Sequence, residues 1–300
     1  MQPKGSYLIV PGLREADLED PVKTIEDGIR SEASAIVVDL EDGVGPTMKE
    51  RARETTVEAL AEWDDDRPVF VRVNGPETPQ LFDDLAALCD APSPPSGVVL
   101  PEVRTGEDVR LVAQALEAAS VPLEIIPLIE RPIAVFNARS IAAASPRVAA
   151  IAFGSVDFRR YMGMPTMDAN ADVHLPRYLL SMAASAAGVP AIDTVYLHRE
   201  DFEGLESETE RVRSIGFDGK FATSVEQVPV IEAVFEPSPE EVAHAERVVE
   251  AFRDAGDDVG LIAVDGTTVD KPVVDELLAL LDRARDTGME VDLEDGEPNQ

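Results

Sequence analysis

Short apolar runs rich in β-branched residues alternate along the chain with longer segments whose apolar positions recur every three or four residues. Period two or continuous apolarity marks strands, and a period near 3.6 marks helices facing a core. Eight strand segments stand out: 6–10, 35–39, 69–73, 97–101, 123–129, 148–153, 191–196 and 217–222. Between them lie helical segments at 48–62, 79–89, 106–119, 132–144, 175–187 and 204–215. Thr47 is placed to cap the helix that carries Lys49 and Arg53, and Pro132 sits in a first turn, where a missing N–H costs nothing.

Eight strands separated by helices imply parallel βαβ units. Continuous apolar strands imply a sheet buried on both faces. The expected fold is α/β, a (β/α)₈ TIM barrel with a C-terminal helical extension; an open doubly wound sheet is the competitor. The barrel is expected to occupy 1–237. An extension over 238–285 follows, with a helix at 238–255 opened by Ser238 and Pro239. A short apolar run at 260–264, an Asp265-Gly266 turn and a helix at 271–285 opened by Pro272 complete it. This extension is too small for an independent core and is expected to pack on the barrel or on a neighbouring subunit. The acidic tail 286–300 is expected to be disordered.

Composition narrows the function classes. A net charge of −33 argues against nucleic-acid binding, which needs basic surface. Only five of the 26 basic residues are lysine, and an acidic, lysine-poor surface suggests adaptation to high salt. No apolar run is long enough to span a membrane and the N-terminus lacks a signal-like pattern, so a cytoplasmic location is expected. Cys89 is the only cysteine, which excludes an internal disulfide and a cysteine metal cage.

Barrel chemistry sits at the carboxyl ends of the strands. Those positions carry Asp39, Glu41, Asp42, Glu130, Asp157 and Asp193, six carboxylates expected to converge on one mouth. So many anions repel one another and are costly to desolvate unless a cation compensates. No histidine occupies a strand end, and His174 and His198 receive no role. An all-oxygen set suits Mg²⁺, with Mn²⁺ possible. Glu130 and Asp157 form the best metal pair because each directly follows a long buried strand. Arg72, inside an apolar strand, needs an anionic partner: either a barrel carboxylate or a substrate carboxylate or enolate oxygen. Arg14 follows a Pro-Gly turn at the rim, placed to meet a phosphate or carboxylate.

These pieces together resemble the citrate lyase β-subunit-like/malyl-CoA lyase family, in the HpcH/HpaI-type aldolase superfamily. The resemblance is carried by Leu8-Ile9-Val10-Pro11-Gly12 with Arg14, by Asp39-Leu40-Glu41-Asp42-Gly43-Val44 with Lys49 and Arg53, and by Val71-Arg72-Val73-Asn74. Pro127-Leu128-Ile129-Glu130, Phe153-Gly154 with Asp157, and Ala191-Ile192-Asp193 continue it. Phe235-Glu236-Pro237-Ser238 and Val264-Asp265-Gly266 with Val269-Asp270 close it, so that it spans roughly residues 5 to 285.

The resemblance implies a Mg²⁺-dependent carbon–carbon lyase. It would cleave or form a malyl-, methylmalyl- or citramalyl-CoA-type thioester, giving acetyl- or propionyl-CoA and glyoxylate or pyruvate. It implies metal ligation by Glu130 and Asp157, and an oxo- or hydroxy-acid end held by Arg72. Arg14 and Lys49 would face the CoA phosphates. Proton transfer is implied first for Asp270, supplied by a neighbouring subunit, and then for Glu41 or Asp42. The implied partners are the CoA thioester and the 2-oxo acid, in a homotrimer or homohexamer. Two positions depart from the family pattern: Glu102 stands where many relatives carry lysine, and Thr223 where many carry histidine, with Gln227 in place of a following glutamine. A thioester hydrolase and a CoA-independent hydroxy-keto-acid aldolase are the alternative enzymes. A non-catalytic metabolite-binding homologue is the remaining class.

Overall fold

The structure is a computed structural model that describes residues 2–14, 18–165, 173–256 and 260–293. It divides into two units, Met1–Phe235 and Glu236–Gln300.

In the first unit eight parallel strands close into a barrel in sequence order. They are β1 (Gly5–Pro11), β2 (Ala35–Asp39), β3 (Val69–Arg72), β4 (Gly97–Leu100), β5 (Glu124–Ile129), β6 (Ile151–Phe153), β7 (Ala191–Asp193) and β8 (Gly219–Ala222). Closure comes from β1, which pairs with β2 on one side and with β8 on the other. Nine helices of this unit are described: α1 (Lys23–Ile29), α2 (Lys49–Ala61), α3 (Gln80–Cys89), α4 (Gly106–Ala118), α5 (Pro132–Ala142), α6 (Ser155–Met162), α7 (His174–Ala187), α8 (Phe202–Ser214) and α9 (Val228–Phe235). Three of these, α1, α6 and α9, are not among the predicted helices. All three are eight residues or fewer, too short to establish a clear period.

The strands form two cores because successive side chains point to opposite faces. Tyr7, Ala35, Val37, Phe70, Val99, Ile126, Leu128, Ala152, Ile192 and Phe221 fill the barrel interior. The alternate residues, such as Leu8, Ile36, Val38, Val71 and Val98, pack against the helices. Tyr7 meets Phe70 and Phe221 with ring centroids 6.4 and 6.3 Å apart, closing the interior with aromatic bulk. The interior parity then carries Asp39, Arg72 and Glu130 to the inside at the strands' carboxyl ends.

Some local expectations need correction. Thr47 does not cap α2: residues Pro46–Met48 form a short 3₁₀ turn, and α2 begins at Lys49 without a side-chain cap. By contrast Pro132 does open α5, and Thr105 and Asp108 form a reciprocal capping box on α4.

The second unit contains α10 (Pro239–Asp254), the hairpin β9 (Leu261–Val264) and β10 (Thr267–Asp270), and α11 (Lys271–Asp286). Ser238 and Glu241 make a capping box on α10. Asp265 and Gly266 both adopt positive φ, 51° and 79°, as a tight two-residue hairpin turn requires. Val242, Ala245, Val248, Val249, Val269, Val274, Leu281 and Ala284 form this unit's own core. Residues 287–293 do not hang free. Met289, Val291 and Leu293 pack on that core, and Arg285 Nη2 donates to the Leu293 carbonyl at 2.7 Å. The last seven residues of the expected tail, 294–300, lie outside the described residues. No helix among the described residues is long and apolar enough to cross a membrane.

Candidate active site

The interior ends at the strands' carboxyl edge in a pocket of about 420 Å³, counting its open mouth. Ile9, Val37, Val99, Leu128 and Phe221 make its apolar floor, and Arg72, Glu130, Asp157 and Thr194 supply polar groups.

Asp39 and Arg72 are register neighbours on β2 and β3. Arg72 therefore grips Asp39 with both arms of its fork, Nε to Oδ1 at 2.7 Å and Nη2 to Oδ2 at 2.6 Å. Asp39, only 2% exposed, also accepts from the Glu41 N–H and the Gly43 N–H, each at 2.8 Å. Gly43 is needed for this approach, since a Cβ there would lie 2.4 Å from Asp39 Oδ2. Burial pushes the Asp39 carboxyl up, but the guanidinium and the two amides hold it below the usual carboxylate range. The barrel-carboxylate reading of Arg72 is the one the geometry shows. Its Nε and Nη2 serve a barrel carboxylate, and among the described residues no group bonds its Nη1 at the pocket wall.

Glu130, one residue past β5, is 3% exposed. Gly154 makes room for it, because a Cβ at that position would lie 2.7 Å from Glu130 Oε2. Among the described residues its carboxylate receives one hydrogen bond, from the Glu102 N–H at 2.5 Å. Among the described residues no salt bridge reaches it, although Arg72 of the same pocket feels its charge. Burial first, then the anions Glu41, Asp157 and Glu102, push its carboxyl well above the ordinary range. Asp157 enters the same pocket from the first turn of α6. Burial and the nearby Asp42 and Glu102 raise its carboxyl, and Arg160, 2.8 Å away, partly offsets this. Glu41 stands 3.4 Å from Arg72 Nε. Burial and the neighbours Asp42, Asp39 and Asp157 push its carboxyl up to about 8 despite that arginine.

The remaining candidates are placed differently. Asp42 and Arg14 are exposed at the rim. Lys49 is not a free rim cation: its Nζ donates to the Leu40 and Glu41 carbonyls at 2.7 and 2.6 Å, stapling the loop after β2. Asn74 donates to the same Leu40 carbonyl and to Asp84, which Arg53 also holds, so Lys49 and Asn74, with Arg53 behind Asp84, buttress that loop. Thr223 and Gln227 bond each other, and Gln227 Nε2 reaches the Tyr196 carbonyl. Asp270 lies in the second unit and caps α11 by accepting from the Val273 N–H at 3.3 Å.

Asp193 does not join the mouth. Its neighbour Ile192 points inward, so Asp193 faces the helix layer, fully buried. There it accepts from Arg177 Nε and Nη2 at 2.8 and 3.0 Å and from Lys220 Nζ at 2.6 Å. Lys220 also meets Glu208 at 2.8 Å, completing a buried quartet of two cations and two anions. Nothing in the sequence reading had singled out Arg177, Lys220 or Glu208.

The Glu130 carboxylate fits a cation. Among the described residues its only donor is one amide, and Glu41, Asp157 and Glu102 bring like charge near it, the carboxylate-rich surroundings a hard divalent ion takes. Among the described residues no three carboxylate, histidine or cysteine side chains converge as a full cage. That leaves a two-carboxylate site completed by water or ligand oxygens. Fold and site fit a class: a (β/α)₈-barrel enzyme with carboxylates suited to a divalent cation at the strands' carboxyl ends.

The profile described as HpcH/HpaI aldolase/citrate lyase matches residues 20–224, and the chain belongs to this family of carbon–carbon lyases. It is 32% identical over 278 residues to citrate lyase subunit beta of Leuconostoc mesenteroides, covering 90% of this chain and 89% of the relative. It is 34% identical over 271 residues to a (3S)-malyl-CoA thioesterase of Cereibacter sphaeroides, covering 89% and 90%. Among solved structures, protein CitE of Mycobacterium tuberculosis, in complex with magnesium, acetoacetate and coenzyme A, superposes with a TM-score of 0.78 at 29% identity. That match covers 94% of this chain and 98% of the other.

Proposed function

We propose that this protein is a Mg²⁺-dependent lyase of β-hydroxyacyl-CoA thioesters of the malyl-, methylmalyl- or citramalyl-CoA type. The products would be acetyl- or propionyl-CoA and glyoxylate or pyruvate. The observation that carries this reading is Glu130: a buried carboxylate that no salt bridge reaches among the described residues, in one pocket with Asp157 and Arg72. Glu130 and Asp157 would hold a Mg²⁺ ion such as the one in the Mycobacterium tuberculosis relative's complex with magnesium, acetoacetate and coenzyme A. Bound there, the ion supplies Lewis-acid polarisation of the oxo-acid oxygens.

The chain's own groups fit the rest. Arg72, locked by Asp39, offers Nη1 to an oxyanion from a fixed position. The pocket suits the acid end of the thioester, leaving the CoA portion over the rim near Arg14. Glu41, whose carboxyl burial pushes up to about 8, is suited to give its proton to the enolate carbon of the leaving thioester. The hydroxyl proton needs an ionised acceptor, for which Asp42 and Asp270, the latter from a neighbouring copy, are the candidates. Purified enzyme with Mg²⁺ should release glyoxylate or pyruvate from such thioesters. Absence of turnover across that panel with metal bound would overturn the assignment. Hydrolysis is the second reading, favoured by the 34% identity to a malyl-CoA thioesterase; a free hydroxy diacid as product would establish it.

The raised carboxyls set a pH dependence. Glu130 and Asp157 each bind protons above their ordinary range in the metal-free protein. The cation must displace those protons, so Mg²⁺ affinity rises with pH. Calorimetry in buffers of different ionisation enthalpy should show proton release on binding. A pH-independent affinity between 6 and 9 would contradict it.

The proposal extends to self-association. Ile133 and Phe136 on α5, and Leu175, Tyr178 and Met182 on α7, are exposed, with Phe136 at 82%. The spacing i, i+3 and i+7 gives α7 an apolar stripe, α5 adds an i, i+3 pair, and the two helices pack side by side. On so acidic a surface, such stripes suit an interface with a second copy. Phe136→Asp should shift the sedimentation coefficient towards that of the monomer; an unchanged value would exclude this face.

A further inference from the structure

We propose that Glu102 is a positioning residue that keeps the candidate metal carboxylate Asp157 available to the cation by competing with it for Arg160. The proposal rests on the metal assignment above.

Glu102 adopts φ 59°, a left-handed conformation that glutamate avoids. A non-glycine residue stays there only when its surroundings over-determine it, and such residues gather at functional sites. Here the constraint acts at both ends of the residue. The backbone N–H is turned onto Glu130 Oε1 at 2.5 Å. The side chain accepts from Tyr161 Oη at 2.9 and 3.0 Å and from Arg131 Nε, and lies 3.6 Å from Arg160 Nη2.

Arg131 directly follows Glu130 in the chain, and Arg160 Nη2 is also 2.8 Å from Asp157 Oδ1. The guanidinium centres of Arg131 and Arg160 lie 4.5 and 4.7 Å from the Tyr161 ring centroid. Tyr161 thus collects both arginines, and Glu102 neutralises them.

The consequence is electrostatic. Arg160 is close enough to Asp157 to compete with Mg²⁺ for it. Glu102 shares Arg160 with Asp157, and together with Glu77 it holds Arg131. A lysine at position 102 would add to the local positive charge instead.

Glu102→Gln keeps the backbone, its amide and most of the side-chain shape, and removes the charge. Mg²⁺ affinity measured by calorimetry should fall roughly 10–100-fold, the range typical when a supporting group behind a metal ligand is lost. Adding Arg160→Gln to that variant should restore much of the affinity, because the competitor for Asp157 is gone. A purely structural role for Glu102 predicts no such rescue. Glu102→Gly provides a second route: glycine accepts the positive φ, keeps the amide on Glu130 and still loses the carboxylate, so it should weaken Mg²⁺ as the Gln variant does.

Wild-type affinity in Glu102→Gln, or weakened affinity without rescue by Arg160→Gln, would overturn the proposal. The metal assignment fails separately, if Glu130→Gln leaves Mg²⁺ binding intact.

Discussion

Replacing Glu130 by glutamine should eliminate Mg²⁺ binding and lower kcat/KM by about 10³-fold or more, the scale set by losing a principal electrostatic contact in a buried site. The change is nearly isosteric, so the Gly154 cradle still accommodates the side chain. Loss of function should therefore come without loss of fold. Stability should move the other way. In the metal-free protein the Glu130 carboxyl is raised above its ordinary value by burial and by Glu41, Asp157 and Glu102. A carboxyl with a raised folded pKa binds its proton more tightly in the folded state, so ionising it as pH rises destabilises the fold. The Gln variant lacks that term. Its thermal midpoint without Mg²⁺ should match or exceed the wild type at neutral pH and above, while added Mg²⁺ raises only the wild type. A variant that keeps full activity, or one that melts early in metal-free buffer, would contradict this account of Glu130.

Asp193→Asn should have the largest effect on stability. The quartet of Arg177, Asp193, Lys220 and Glu208 is buried between the barrel and its helices, and its charges balance. Removing one anion leaves Arg177 and Lys220 with only Glu208. Breaking a buried ion pair from one side costs about 3–5 kcal/mol. For a unit of this size each kcal/mol lowers the midpoint by about 2–4 °C, so a drop on the order of 6–20 °C is expected. Because Asp193 faces away from the pocket, kcat at temperatures where the variant stays folded should match the wild type. A variant with an unchanged midpoint and lowered kcat would instead return Asp193 to the active site.

Asp193 also shows where sequence reading reaches its limit. The barrel itself was legible because eight apolar runs separated by helical periods admit few arrangements. Glu130 was legible because an uninterrupted apolar strand ends on an acid. The inside–outside assignment of β7 was not. Its three residues are all apolar or buried, and the expected segment 191–196 ran past the strand end, so nothing in the pattern said that Ile192 points inward and Asp193 outward. Asp157 reads as a strand-end residue, but it enters the pocket from the first turn of α6, an eight-residue helix without a readable period. Lys49 is a rim cation in what the family resemblance implies, yet two carbonyls of the β2 loop hold it. The role of Glu102 depends on a backbone angle and on arginines 29 and 58 positions away in the chain, which spacing does not reveal.

The way the barrel closes also governs how the chain can be made. Residues 5–8 of β1 complete their hydrogen bonding only when residues 219–222 of β8 reach them. A ribosome releases the first strand long before the last. Through most of synthesis β1 has one open edge, and open apolar edges recruit other chains. The nascent chain's strong negative charge keeps such copies apart during that interval. A chain truncated before β8 should emerge as an aggregate rather than as a smaller barrel.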